Sequence, residues 1–181
     1  MALAMALDRP GWVGALALIC PATQLQTETP EAFRGLLIRT GWLRRAVAHT
    51  VAVPLAAATA RKVLEMVFRP DPVPENFIIR GGGALGLRPK AFITASEDIL
   101  ALQAAAPGLA ARYGEDLKAP GGVLYGGADA ILSPSAHGRT MQPHGLTFEA
   151  VEGAGHMLPV SAPDACAAFI RRIAAQAGQG G

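Results

Sequence analysis

Charge is what this sequence has least of. Only 17% of its 181 residues are Asp, Glu, Lys or Arg, while 51% are apolar; an average globular domain carries roughly 25% charged residues. That balance excludes a disordered chain, which pairs low hydrophobicity with many charges. Its 16 basic and 14 acidic residues leave a net charge of +2. No basic block exceeds the pairs Arg44 with Arg45 and Arg171 with Arg172. Nucleic-acid binders concentrate positive charge on a stripe, so no nucleic-acid partner is expected. The two cysteines, Cys20 and Cys166, are too few and too far apart for a disulfide scaffold or a Cys-based zinc site. Long apolar runs are missing as well. Asp8, Arg9 and Pro10 interrupt the N-terminal apolar stretch, leaving about ten residues where a spanning helix needs roughly 20. No basic residue precedes that stretch as a signal peptide requires, and bulky Leu18 and Ile19 stand where lipoprotein processing before Cys20 favours a small residue. The expectation is a cytoplasmic protein with reduced thiols and no transmembrane segment.

Glycine (21 residues) and proline (14) are plentiful and punctuate a regular pattern. Residues 1–7 are strong helix formers without a cap, like the last turns of a helix that starts elsewhere. Residues 13–20 form a near-continuous apolar run closed by Pro21, which suits a strand buried on both faces. Residues 30–69 read as helices, with Phe33, Leu36 and Leu37 and then Val63, Leu64, Val67 and Phe68 at helical spacing, and Pro54 breaking or opening one of them. Pro70, Pro72 and Pro74 mark an extended linker. Phe92, Ala95, Ile99 and Leu102 mark another helix, and Pro107 starts or kinks a shorter one. Val123, Leu124 and Tyr125 form a strand ended by glycines. Ser133 and Pro134 open a helix. Leu146 to Val151 is a strand. Ser161 to Asp164 opens a last helix with Cys166, Phe169, Ile170 and Ile173 on its apolar face and Arg171 and Arg172 in its last turn, fraying over residues 174–181. Strands separated by helices imply a parallel sheet.

Two loop residues carry the chemistry. Asp129 lies just past the strand at Leu124, and His156 just past the strand that ends at Val151. In a parallel sheet the carboxyl ends of adjacent strands share one edge, where sites form. A carboxylate there can orient an imidazole and stabilise its protonated form, making the histidine a general base. Taken singly, Asp129 is also a good turn residue and His156 an ordinary loop histidine.

Three stretches resemble one family. Residues 15–23 (Ala-Leu-Ala-Leu-Ile-Cys-Pro-Ala-Thr), 124–129 (Leu-Tyr-Gly-Gly-Ala-Asp) and 153–159 (Gly-Ala-Gly-His-Met-Leu-Pro) look like parts of an α/β-hydrolase: the strand leading into its helical cap, its acid motif and its histidine motif. The 27-residue separation of acid and histidine is similar to the family's. The resemblance covers residues 11–181. It implies an α/β fold with a partial parallel sheet of about three strands and flanking helices, a core of residues 1–29 and 118–181, and an inserted helical cap over residues 30–117. It also implies Asp129 as the orienting acid and His156 as the base of a triad acting on an ester or other small apolar acyl substrate.

The departure is the nucleophile. The family's Gly-x-Ser-x-Gly elbow is missing, and none of Ser96, Ser133, Ser135 and Ser161 follows a strand in a glycine-flanked turn. The resemblance places the elbow just before Met1, so the chain reads as truncated and inactive as given. Ser and Asp remain open as the nucleophile type. Cys20 has apolar neighbours and no glycine elbow, and reads as a buried structural thiol. Gly81 to Gly86 contains Gly-x-Gly-x-x-Gly after a candidate strand at residues 77–79, but no acidic strand end follows, so a flexible cap loop is favoured and no cofactor is expected. His49, His137 and His144 show no ligand spacing, so no metal site is expected. Two further readings stand beside the truncated hydrolase: a non-catalytic ligand-binding or interaction module, and one half of a split enzyme. In the truncated chain by itself, the strand at residues 13–20 would lack a neighbour and invite dimerisation or aggregation.

Overall fold

A computed structural model describes residues 1–26 and 30–177. The chain divides into two compact units, Met1–Leu25 with Val67–Asp71 and Ala106–Gly181, and Gln26–Met66 with Pro72–Ala105.

The first unit holds a three-stranded parallel sheet in the order β1 (Leu16–Ile19), β2 (Gly121–Gly126), β3 (Leu146–Val151). Leu16 pairs with Gly121, and Gly121 in turn with Leu146, so the three strands start level. All six residues of β2 are buried, as a strand with neighbours on both sides must be. β1 is shorter than the apolar run predicted and is not buried on both faces: Leu16 is buried, Ala17 exposed, Leu18 and Ile19 half-buried. Its outer edge carries no strand among the described residues, and a strand paired on one side only leaves part of its surface open.

Helices complete the unit. α1 (Ala2–Asp8) buries Leu3, Ala6 and Leu7. Further along the chain, α7 (Leu158–Ser161) is a single turn and α8 (Pro163–Ala177) packs against β1 and β2. Cys166, Phe169 and Ile173 form the buried stripe of α8, but Ile170 is 45% exposed and does not belong to it. One residue round from Phe169, Ile170 faces about 100° away from the stripe. α8 also runs on to Ala177, so Arg171 and Arg172 lie inside the helix rather than in its last turn. Of the fraying expected from residue 174, residues 178–181 lie outside the described residues.

The second unit is helical. It contains α2 (Glu31–Arg34) and α3 (Gly41–Val47), which continues through a π turn at Ala48–Ala52 into α4 (Val53–Phe68). Pro54 therefore sits in the first turn of α4, with the wide turn just ahead of it. A proline has no N–H for the usual i→i−4 bond, and the wider turn accommodates that gap. Phe77, Ile78 and Ile79 are not a strand: with Arg80 they make the single helical turn α5 (Phe77–Arg80), hemmed in by Pro74 and Gly81. A 3₁₀ turn at Gly83–Gly86 follows, so the glycine motif lacks the preceding strand that a dinucleotide site needs. A long helix, α6 (Pro89–Asp116), runs 28 residues through Pro107; residues 89–105 belong to the second unit and residues 106–116 to the first. Proline removes one intrahelical bond, and here the turns on either side hold without it. No helix among the described residues is long and apolar enough to cross a membrane.

Candidate active site

The ends of β2 and β3 are laced together by main-chain bonds. Gly127 N–H donates to Val151 O at 2.8 Å and Ala128 N–H to Ala154 O at 2.9 Å. Glycine is required here: a Cβ on Gly126 would run into the carbonyls of Ala154 and Gly155. The lacing brings Asp129 and His156 together, with His156 Nδ1 2.8 Å from Asp129 Oδ2. The Asp129 side chain has no solvent exposure, and that of His156 is 22% exposed. The other carboxylate oxygen, Oδ1, accepts the N–H groups of Ile131 at 2.8 Å and Leu132 at 2.9 Å. Asp129 is thus both the turn residue and the histidine partner.

A carboxylate only accepts, so the Nδ1 facing it is the protonated nitrogen and Nε2 keeps its lone pair. That is the tautomer a general base needs. A second acid fixes the histidine loop: Gly155 N–H donates to Asp71 Oδ2 at 2.9 Å. A Cβ on Gly155 would meet the carbonyls of Phe68 and Arg69. Nothing in the proline-rich segment around Asp71 marked it in the sequence, because the contact spans 84 residues.

The loop after β1 forms the third side. Cys20 follows Ile19 with a φ of 44°, the only left-handed non-glycine residue among those described, and such backbone persists only where its surroundings over-determine it. Cys20 N–H donates to Leu124 O at 2.8 Å. Tyr125 donates its hydroxyl to Pro21 O, and Tyr113 donates to Thr23 O at 2.8 Å. Thr23 Oγ1 donates to His137 O at 2.6 Å, while the N–H groups of Thr23 and Gln24 converge on His137 Nδ1 at 3.3 Å each. Burial holds His137 below its ordinary pKa, partly opposed by Asp129.

These bonds place the Cys20 thiol beside the pair. One ligand atom each of Cys20, Asp129 and His156 lies within 4.8 Å of the others. Burial first, and then the Asp129 carboxylate, push the thiol up to about 12, so it holds its proton and is a poor nucleophile. Cys20 is buried, as the sequence implied, but it also belongs to the site.

The serines are engaged elsewhere. Ser133 Oγ caps the turn at Pro134–Gly138 by accepting from Ala136 N–H at 3.4 Å, and lies 2.8 Å from Ser135 Oγ. Ser161 donates to Met157 O at 3.3 Å, and Ser96 donates to Leu36 O in the second unit. That unit also holds an apolar cavity of about 580 Å³ lined by Phe33, Leu36, Val51, Leu55, Val63 and Phe92.

No protein-family model matches the chain, and no curated protein does. Solved structures do. A candidate lipase (lip1) from Acinetobacter baumannii AYE superposes with a TM-score of 0.64 at 16% identity, over 99% of this chain and 58% of that one. A Burkholderia ambifaria protein described by an alpha/beta hydrolase fold gives 0.60 at 16% identity, over 93% and 60%. A thermophilic esterase from Thermogutta terrifontis gives 0.51 at 23% identity, over 97% and 61%. The chain therefore spans about three-fifths of the length of each of these proteins.

Proposed function

We propose that this chain, which has the α/β-hydrolase fold over part of that fold's length, supplies the acid–base half of a hydrolase for carboxylic esters or other small apolar acyl substrates. The observation that carries this reading is the 2.8 Å contact between His156 Nδ1 and the fully buried Asp129 carboxylate. His156 Nε2 takes the proton of an attacking hydroxyl or water and returns it to the leaving group, while Asp129 stabilises the imidazolium that forms in between.

On this reading the nucleophile and the oxyanion donor come from outside residues 1–181, and the chain alone has little or no esterase activity. The helical second unit corresponds to the family's cap, and its own apolar cavity suits an acyl group better than a charged one. Two free cysteines fit a reducing, cytoplasmic setting. The commitments of all four serines and the protonated Cys20 thiol equally favour a second reading, a ligand-binding module without turnover.

Titrating the chain with a fatty acid, and assaying short-chain aryl esters beside it, separates the two. A half-enzyme gives no turnover alone and gains a His156-dependent activity when joined or co-expressed with a segment carrying a strand and a Gly-x-Ser-x-Gly elbow. A binding module takes up the ligand and gains nothing.

A further inference from the structure

We infer that Cys20, Asp129 and His156 form a binding site for a thiophilic divalent cation of the zinc type. Each residue follows a different strand, Cys20 after β1, Asp129 after β2 and His156 after β3, and the three level strands deliver one sulfur, one oxygen and one nitrogen to the same point. Zinc takes this mixture of donors, tetrahedrally, at roughly 2.0–2.3 Å. Donors so arranged stand roughly 3.3–3.6 Å apart by that geometry. The present atoms lie within 4.8 Å of one another, with the His156–Asp129 contact at 2.8 Å. Closing on a metal therefore asks Cys20 to approach and the His–Asp contact to open slightly, which are side-chain movements.

The supporting shell is already in place, and metal sites depend on such a shell. Asp129 Oδ1 is held by two backbone N–H groups, the His156 loop by Asp71, and the Cys20 loop by Tyr113, Tyr125, Thr23 and His137. The partial exposure of His156 gives a cation its entry and leaves room for water as the fourth ligand. Binding forms the metal–sulfur bond as the thiol proton leaves to solvent. The metal also takes the Asp129 oxygen and His156 Nδ1, whose proton is lost to solvent as Nε2 takes one up, so its occupancy withdraws the pair from proton transfer. Binding itself needs no nucleophile; that it would inhibit rests on the hydrolase reading.

The test uses the full chain alone and needs no turnover, so it stands or falls separately from the hydrolase reading. Cd²⁺ is titrated into the reduced protein and followed by its ultraviolet thiolate-to-cadmium band, with Zn²⁺ binding measured by calorimetry. One equivalent is expected. Cys20→Ser should abolish the band and weaken Zn²⁺ binding at least tenfold. His156→Gln should weaken it at least tenfold, and Cys166→Ser should leave both unchanged. Absence of a band, a band lost with Cys166 rather than Cys20, or tight binding by His156→Gln would overturn the site. Should a variant fail to fold, long-range proton–nitrogen spectra of the unaltered chain decide. Zn²⁺ must move the ring nitrogens of His156 and not those of His49, His137 or His144.

Discussion

Asp129 meets His156 Nδ1 at 2.8 Å while its other oxygen takes two backbone N–H groups. One carboxylate fixes both the turn after β2 and the proton position on the imidazole. Asp129→Asn keeps the turn-side oxygen and sets an amide N–H against the Nδ1–H. The imidazole must change tautomer or lose its partner, and stability should fall by about 1–3 kcal/mol, the cost of an unsatisfied buried donor. Urea melts measure the loss. Proton spectra should show the hydrogen-bonded His156 Nδ1–H disappear. In an enzyme-competent form, turnover should drop by a factor on the order of 10⁴, as when a triad acid is amidated.

His156 depends on glycine at the preceding position. Gly155→Ala pushes a methyl group into the carbonyls of Phe68 and Arg69. The loop must move, and the Asp71 bond to Gly155 N–H with it. We expect a loss of about 1–3 kcal/mol, the range for overpacking, together with a shifted His156 resonance. Asp71→Asn, whose amide oxygen can still accept, should cost less than half as much.

His137 makes the first unit acid-sensitive. Burial lowers its folded pKa below 6.5, so the unfolded chain takes up a proton first as pH falls. Stability is therefore full above pH 6.5 and is lost progressively as pH falls towards the folded value, by at most about 1.4 kcal/mol per pH unit. Protonation also removes the Nδ1 lone pair that Thr23 and Gln24 share. Urea melts at pH 7.5, 6.0 and 5.0 should show this slope, and His137→Gln should flatten it.

The outer edge of β1 carries no strand among the described residues, and we expect self-association there. Ala17 is exposed on that strand, and Trp12 just before it is 80% exposed. Unpaired strand edges template further pairing. Ultracentrifugation over a concentration series should show mass rising with concentration, and Ala17→Lys should suppress it. A single monomeric species at the highest concentration would count against this role for β1.

Much of this was legible where a pattern is local. The succession of strands separated by helices, the glycines around Asp129 and the loop spacing to His156 pointed to the parallel sheet and to the pair. The misreadings were local signals overruled by their surroundings. Pro107 carries the strongest breaker signal of its helix, yet α6 passes through it. Ile170 has the right chemistry for the buried stripe but the wrong angle. The role of Cys20 was out of reach. It rests on a left-handed backbone held by Tyr113, Tyr125 and His137, and these contacts cross 90 to 114 residues. No sequence window contains them.

The central claim, that Asp129 and His156 are the acid–base half of a hydrolase, is tested most directly by aryl-ester hydrolysis. The chain alone is compared with the same chain joined to a preceding strand and Gly-x-Ser-x-Gly elbow, each with and without His156→Ala. The account predicts no His156-dependent turnover from the chain alone, and turnover in the joined form that falls at least about 10³-fold on substitution. His156-dependent turnover by the chain alone, or joined-form activity indifferent to His156→Ala, would contradict it.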